Sequence, residues 1–170
     1  LDTLVSYVSE AQEVDGYLYT AWTLKANDYI DFSCCTYSEQ GQWIETQNSS
    51  HEFYNVGHMY EAALAHYLAT GSRSFLDVAL KNADLIYDVC ITQGNDYVPG
   101  HQEIEIGLVK LYRVTGDERY LKLAKHLLDI RADVLDTEYS QAHLPVTEQT
   151  EAVGHAVRAN YMYSAMADVA

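Results

Sequence analysis

The chain has 170 residues, 48% of them hydrophobic, with 10 Lys or Arg against 25 Asp or Glu and a formal charge of -15 at pH 7. That length holds one domain with a real core, and so few cations argue against a sequence-independent grip on nucleic acid or an anionic membrane, which depends on Lys and Arg meeting phosphates. No apolar run reaches the roughly 18 residues of a membrane span, and no proline-, glycine- or charge-rich tract marks a linker, so 1–170 reads as one unit without an internal boundary.

Residues 1–12 carry a helical period, and LDTLVSYVSEAQE lacks the basic start and apolar core of a signal segment, so the chain reads as soluble with its compartment open. The stretch 15–48, from DGYLYTAWT onward, is rich in Tyr, Trp, Asn and Ser without a sustained period and reads as a long irregular excursion; long ordered loops are more often functional than idle. From Glu61 to Leu85 a helical hairpin is expected: Ala62, Ala65 and Ala69 at helical spacing, a stop at Thr70-Gly71, and a restart through Phe75, Leu76 and Ala79. About 45 residues later AHYLATGSRSFLDVA returns as KLYRVTGDERYLKLA, with Thr115-Gly116 in the place of Thr70-Gly71. Each glycine is expected to end a helix in the left-handed conformation, and the Ser or Asp after it to cap the next. A final helix is expected over about 148–170 on the stripe Ala152, Ala156, Ala159, Tyr163 and Ala167, which makes six or seven helices in all. Two helices per period build either an open solenoid or a closed α/α toroid, and the repeat fits both.

HEFYNVGH, residues 51–58, begins like a zinc-protease helix, but His51 and His58 stand seven residues apart instead of four. Two turns separate them by about 10 Å along the axis, too far to share one ion easily. His58 then reads as a polar residue on a partly solvated face, while His51, beside the expected cap Ser50, suits a pocket as well as the surface. Pro99-Gly100 places His101, Gln102 and Glu103 in the first turn of a helix, a natural ligand mouth; Glu103 and Glu105 also suit plain dressing of the positive helix end. Glu148, Glu151, His155 and Arg158 recur at steps of three, four and three, a polar stripe that more often faces water than a cavity. Cys34-Cys35 has no third or fourth ligand in a recognisable pattern and reads as passive loop thiols, and Cys90 as a buried thiol. No glycine-rich phosphate loop, nucleophile elbow or Ser/His/Asp pattern occurs. A carboxylate pair for sugar hydrolysis is permitted by the composition without being marked by any spacing.

Taken in order, DGYLYTAWT, HEFYNVGHMYEAALAHYLATG, PGHQEIEIGLVKLYRVTGDERYLKLAKHLLDIR and HLPVTEQTEAVGHAVRANYMYSAMADVA resemble the N-terminal half of glycoside hydrolase family 127, the β-L-arabinofuranosidase family. The resemblance implies an all-α catalytic domain, an (α/α)6 toroid built of helical hairpin repeats, of which 1–170 is expected to be about half. It implies retaining, exo-acting hydrolysis of terminal β-L-arabinofuranosides by a zinc-bound cysteine with a glutamate acid/base. Those residues and the zinc ligands lie downstream of the block ending MADVA, so no catalytic or metal residue carries over, and zinc is implied for the full-length protein with ligands outside this chain. The flanks of Cys34-Cys35, DFSCCTYSEQ, do not match the family's cysteine pair. Pocket lining does carry over: His51, His101 and His155 are similar to the family's sugar-contacting histidines, with Gln102, Glu148 and Gln149 in second rank. The implied partner is a glycan or glycoside ending in arabinofuranose. Two rivals stand beside this: another α/α-toroid sugar enzyme (an unsaturated-uronide hydrolase, lyase or epimerase) working without zinc, and a non-catalytic helical-repeat scaffold, which three histidines on three different surfaces would favour.

Overall fold

Both Thr-Gly stops end a helix in the way their spacing predicts. Gly71 and Gly116 sit at φ 73° and 74°, and their N–H groups close the last turns on the carbonyls of Tyr67 and Tyr112. An L side chain rarely adopts that backbone, which is why glycine stands there. Thr70 and Thr115 repeat each other too, each hydroxyl donating 2.7 Å back to the carbonyl four residues earlier. The restarts differ. Asp117 caps its helix by accepting from the Arg119 N–H at 3.0 Å, whereas the counterpart helix begins after Arg73 with no side-chain cap, the Ser72 hydroxyl lying 3.4 Å from the Ser74 N–H.

The computed structural model describes residues 1–25, 37–47 and 50–170. They form α1 (Asp2–Ala11), α2 (Thr20–Thr23), α3 (Glu52–Thr70), α4 (Ser74–Tyr87), α5 (Ile104–Thr115), α6 (Glu118–Asp129), α7 (Arg131–Leu135) and α8 (Ala156–Val169). Six of these have ten or more residues and α2 and α7 are short; among the described residues there is no strand. The hairpin α3–α4 and its repeat α5–α6 lie side by side, α3 on α5, and α8 packs across α5 and α6. Tyr60, Leu76, Ile86, Leu108, Leu123 and Leu127 are fully buried between them, each large apolar side chain contributing about 1.5–3 kcal/mol. A smaller cluster of Ile106, Leu128, Met162 and Ala165 holds α8 in place.

The crossing of α3 over α5 is backbone to backbone. A Cβ on Gly57 would stand 2.7 Å from the Ile104 nitrogen, and one on Gly107 2.8 Å from the Gly57 carbonyl oxygen. Only hydrogen fits at either place, so the two helix starts are pressed together and their preceding loops emerge side by side.

Four expectations are corrected at these starts. The N-cap position of α3 is held by His51, at φ 55° and with no side-chain cap bond, while Ser50 instead donates its hydroxyl to Glu52 at 2.8 Å. Helix α5 begins at Ile104 behind an extended Glu103, leaving His101 and Gln102 in the run ahead of it. Glu103 and Glu105 are buried rather than solvated dressing; Glu105 accepts the Glu103 N–H at 3.1 Å. Helix α8 begins at Ala156, eight residues late, so Glu148, Glu151 and Ala152 lie in turns and not on its stripes. The reason is local: Gly154, at φ 72°, passes so close to the Glu138 carbonyl that a Cβ would lie 1.9 Å from it, which leaves His155 to cap the helix. In the excursion, 37–47 is turns and one isolated bridge, and Trp43 is buried against Tyr17 and Phe53. Cys34-Cys35 falls outside the described residues.

Candidate functional site

Three helix starts converge at one end of the molecule, and each presents a histidine. His51 and His155 are the caps of α3 and α8, and His101 stands three residues before α5. Their rings form a row, His51 to His101 at 6.4 Å and His101 to His155 at 6.5 Å between centroids. Tyr54, one turn into α3, packs 4.4 Å from His101, and Tyr161 of α8 lies 5.2 Å from the same ring. Tyr139 borders the far end, 5.4 Å from His155.

The backbone decides which nitrogen of each ring is available. The Nδ1 of His101 is 2.9 Å from the Gln102 carbonyl, which can only accept, so Nδ1–H donates and Nε2 carries the lone pair. The Nδ1 of His155 accepts from the Arg158 N–H at 3.4 Å, so its neutral ring carries the proton on Nε2. An acceptor and a donor thus stand side by side. Burial lowers the proton affinity of His101, and the nearby Arg158 charge adds to this, so the ring is held neutral.

One buried and one half-buried cation tie the loops beneath the row. Arg131, fully buried, donates to the carbonyls of Ser140 at 2.9 Å, Pro99 at 2.7 Å and Gly100 at 3.2 Å. Burial pulls its guanidinium down to about 10, opposed by Glu105. Arg158 donates to the Gly100 carbonyl at 2.7 Å and to the Ser140 hydroxyl at 2.9 Å, its guanidinium lying 4.7 Å over the Tyr139 ring. These bonds bind the His101 loop to the turn Glu138–Ser140, whose Tyr139 carbonyl accepts the His155 N–H at 3.1 Å.

Of the six residues singled out in the sequence, the structure brings the three histidines together. Gln102 is buried behind the row, donating its amide to the Ser140 carbonyl at 3.1 Å and the Gln141 side chain at 3.0 Å. Gln149 donates to the carbonyls of Gln141 and Leu144, both at 2.8 Å, and Glu148 is exposed. The three-surface arrangement that a binding scaffold would favour is not the one found.

Sequence reasoning passed over the residues beside the row. On α3, His51, Tyr54, His58 and Glu61 follow steps of three, four and three, the same signal that was read at 148–158, and here the helix makes it one face. His58 is half-buried, with its ring 4.5 Å from Tyr54 and 6.0 Å from Tyr161. Among the described residues, His58, Glu61 and Glu103 bring one ligand atom each within 4.8 Å of one another, a set that could hold a metal ion. Lys110 pairs with the other oxygen of Glu61. Burial first, and then Glu61, raises Glu103 above the usual carboxylate range. Burial alone would raise Glu61 as well, but hydrogen bonds from Lys110 and Glu103 outweigh it and Glu61 is lowered.

Cys90, the cysteine among the described residues, lies in the π-helical turn Asp88–Thr92 that follows α4, with 1% exposure, and burial pushes its thiol up to about 12. The described residues therefore do not fit a thiolate-held metal.

The family model described as "Beta-L-arabinofuranosidase, GH127 catalytic domain" matches residues 1–170. A non-reducing end β-L-arabinofuranosidase of Bifidobacterium longum subsp. longum is 33% identical over 192 residues, covering 99% of this chain and 28% of its own length. Among solved structures, a β-arabinofuranosidase of the same family aligns with a TM-score of 0.88 at 52% identity, covering 99% of this chain and 26% of its own. A β-L-arabinofuranosidase from Geobacillus stearothermophilus T6 aligns with a TM-score of 0.82 at 40% identity, covering 99% of this chain and 28% of its own. The chain thus spans about a quarter of the length of these relatives, and its hairpins are part of an α/α toroid. Matched from end to end by the family's catalytic-domain model, the chain belongs to glycoside hydrolase family 127.

Proposed function

We propose that this chain supplies the sugar-binding wall of a retaining, exo-acting β-L-arabinofuranosidase, with His51, His101 and His155 hydrogen-bonding the hydroxyls of a terminal arabinofuranosyl residue. The observation that carries the reading is the row itself, three imidazoles from three helix starts spaced 6.4 and 6.5 Å apart. A sugar hydroxyl both donates and accepts. A furanose seated along the row meets an acceptor at His101 Nε2 and a donor at His155 Nε2–H, which fixes its orientation. Gln102, Gln149 and Arg131 hold the loops that carry those rings, and Glu148 stands at their rim. The names of the relatives support arabinofuranose as the sugar.

The zinc that the family implies would activate a cysteine thiolate when bound; the described residues offer no such thiolate, and no step at the histidine row runs through it. The contribution of these residues is binding and orientation. In the full-length protein, changing His51, His101 or His155 singly to Ala is expected to lower kcat/KM on an aryl β-L-arabinofuranoside by roughly tenfold, the scale of one lost hydrogen bond. If all three variants keep the parent's kcat/KM, the sugar-wall reading is wrong.

A further inference from the structure

We propose that His58, Glu61 and Glu103 form a binding site for a divalent cation of the Mn2+ or Zn2+ type, held by one imidazole nitrogen and two carboxylate oxygens. The spacing from His58 to Glu103 suits one ion, and Glu61 needs to close in only slightly to join it. His58 Nδ1 is 3.2 Å from Glu103 Oε1 and 3.8 Å from Glu61 Oε2. Ligands bonded at about 2.0–2.2 Å to a common metal stand roughly 3–3.5 Å from one another. His58 and Glu61 are three residues apart on one face of α3, and Glu103 reaches them from the start of α5, across the crossing at Gly57.

A second observation points to a ligand. Glu103 is 1% exposed, and neither of its carboxylate oxygens accepts a hydrogen bond from any protein donor. A buried carboxylate that accepts nothing is costly; its Oε1 faces the His58 nitrogen, and the group it can share a proton with is the Glu61 carboxyl. A bound cation supplies what the protein does not. Lys110 orients the site without filling it: its ammonium pairs with Glu61 Oε1 and leaves Oε2 turned toward His58. The ring of His58 is held by the edges of Tyr54 and Tyr161. A concavity of about 410 Å³ lined by Glu61, Glu103, Lys110 and Tyr161 gives an ion a way in and room for the waters that complete its shell.

The donor set contains no sulfur. Carboxylates with a single imidazole accept Mn2+, whereas thiolate sites select softer metals, so Mn2+ reads this site without reading a thiolate centre elsewhere in the full-length protein. The experiment is titration of that protein with MnCl2, following free Mn2+ by electron paramagnetic resonance, for the parent and for Glu103→Gln and His58→Ala. One saturable equivalent is expected in the parent, weakened at least about tenfold in each variant, with a Mn2+-dependent rise in Tm that Glu103→Gln lacks. Glu103→Gln keeps the shape of the side chain, and its own Tm without metal reports whether it folds. Absence of saturable binding up to about 1 mM Mn2+, or binding that Glu103→Gln leaves unchanged, overturns the proposal in favour of a proton shared between the two carboxyls. The readout is metal occupancy, so either result leaves the sugar-wall reading to its own test.

Discussion

His101 does two jobs that its position makes inseparable. Its Nδ1–H is tied to the next residue's carbonyl, which leaves the lone pair on Nε2 while burial keeps the ring neutral. Nothing in PGHQE reveals that tautomer, because it depends on the extended backbone that Glu103 adopts before the helix. Tyr54 shows the opposite: its place three residues after His51 was plain, but an aromatic in an aromatic-rich chain signals nothing until its neighbours are known. Cys90 is legible throughout, an apolar-patterned thiol that the structure buries. Since its thiolate forms only near pH 12 and the thiolate is the nucleophile, Cys90 is expected to resist iodoacetamide at pH 8 in the folded protein and to react in denaturant. Peptide mapping of the labelled protein checks this, and labelling under native conditions would show that the turn Asp88–Thr92 after α4 opens.

Among the helices, the stops were legible and the starts were not. A Thr-Gly stop is local chemistry, one left-handed residue and one hydroxyl folding back on its own turn. A start depends on what lies against it: ahead of α5, Gly100 is pressed on the Gln47 carbonyl, and ahead of α8, Gly154 crosses the Glu138 carbonyl. The two kinds of glycine should therefore respond differently to alanine. Gly71 has open space around it and φ 73°, so Gly71→Ala is expected to cost about 1 kcal/mol from backbone strain alone. At Gly57 a Cβ would collide with the backbone of Ile104 and Glu103, so Gly57→Ala is expected to cost about 1–3 kcal/mol or more, as overpacked sites do. Denaturant unfolding of both variants measures the difference. Equal losses would mean that α3 and α5 can part without penalty.

At the scale of the whole molecule, one buried cation unites the loops of the site. Arg131 comes from the short helix after α6 and reaches the carbonyls of Pro99, Gly100 and Ser140, so the loop of His101 and the turn Glu138–Ser140, to which the His155 N–H bonds at 3.1 Å, share a single anchor. Arg131→Ala leaves those three carbonyls and Glu105 without it, and is expected to lower stability by about 3–5 kcal/mol. The same change should raise KM for an arabinofuranoside, because two of the three rings lose their support; thermal unfolding and steady-state kinetics together check both effects. The sequence by itself determined the all-α class, the repeated hairpin, the helix stops and the three histidines, because periodicity, glycine conformation and short motifs act within a few residues. Only the tertiary structure decided that these histidines make one row, that Glu103 is buried beside His58 and Glu61, and that the helices begin where they do. Each of those depends on contacts between segments dozens of residues apart, pressed together where Gly57 and Gly107 let two backbones touch.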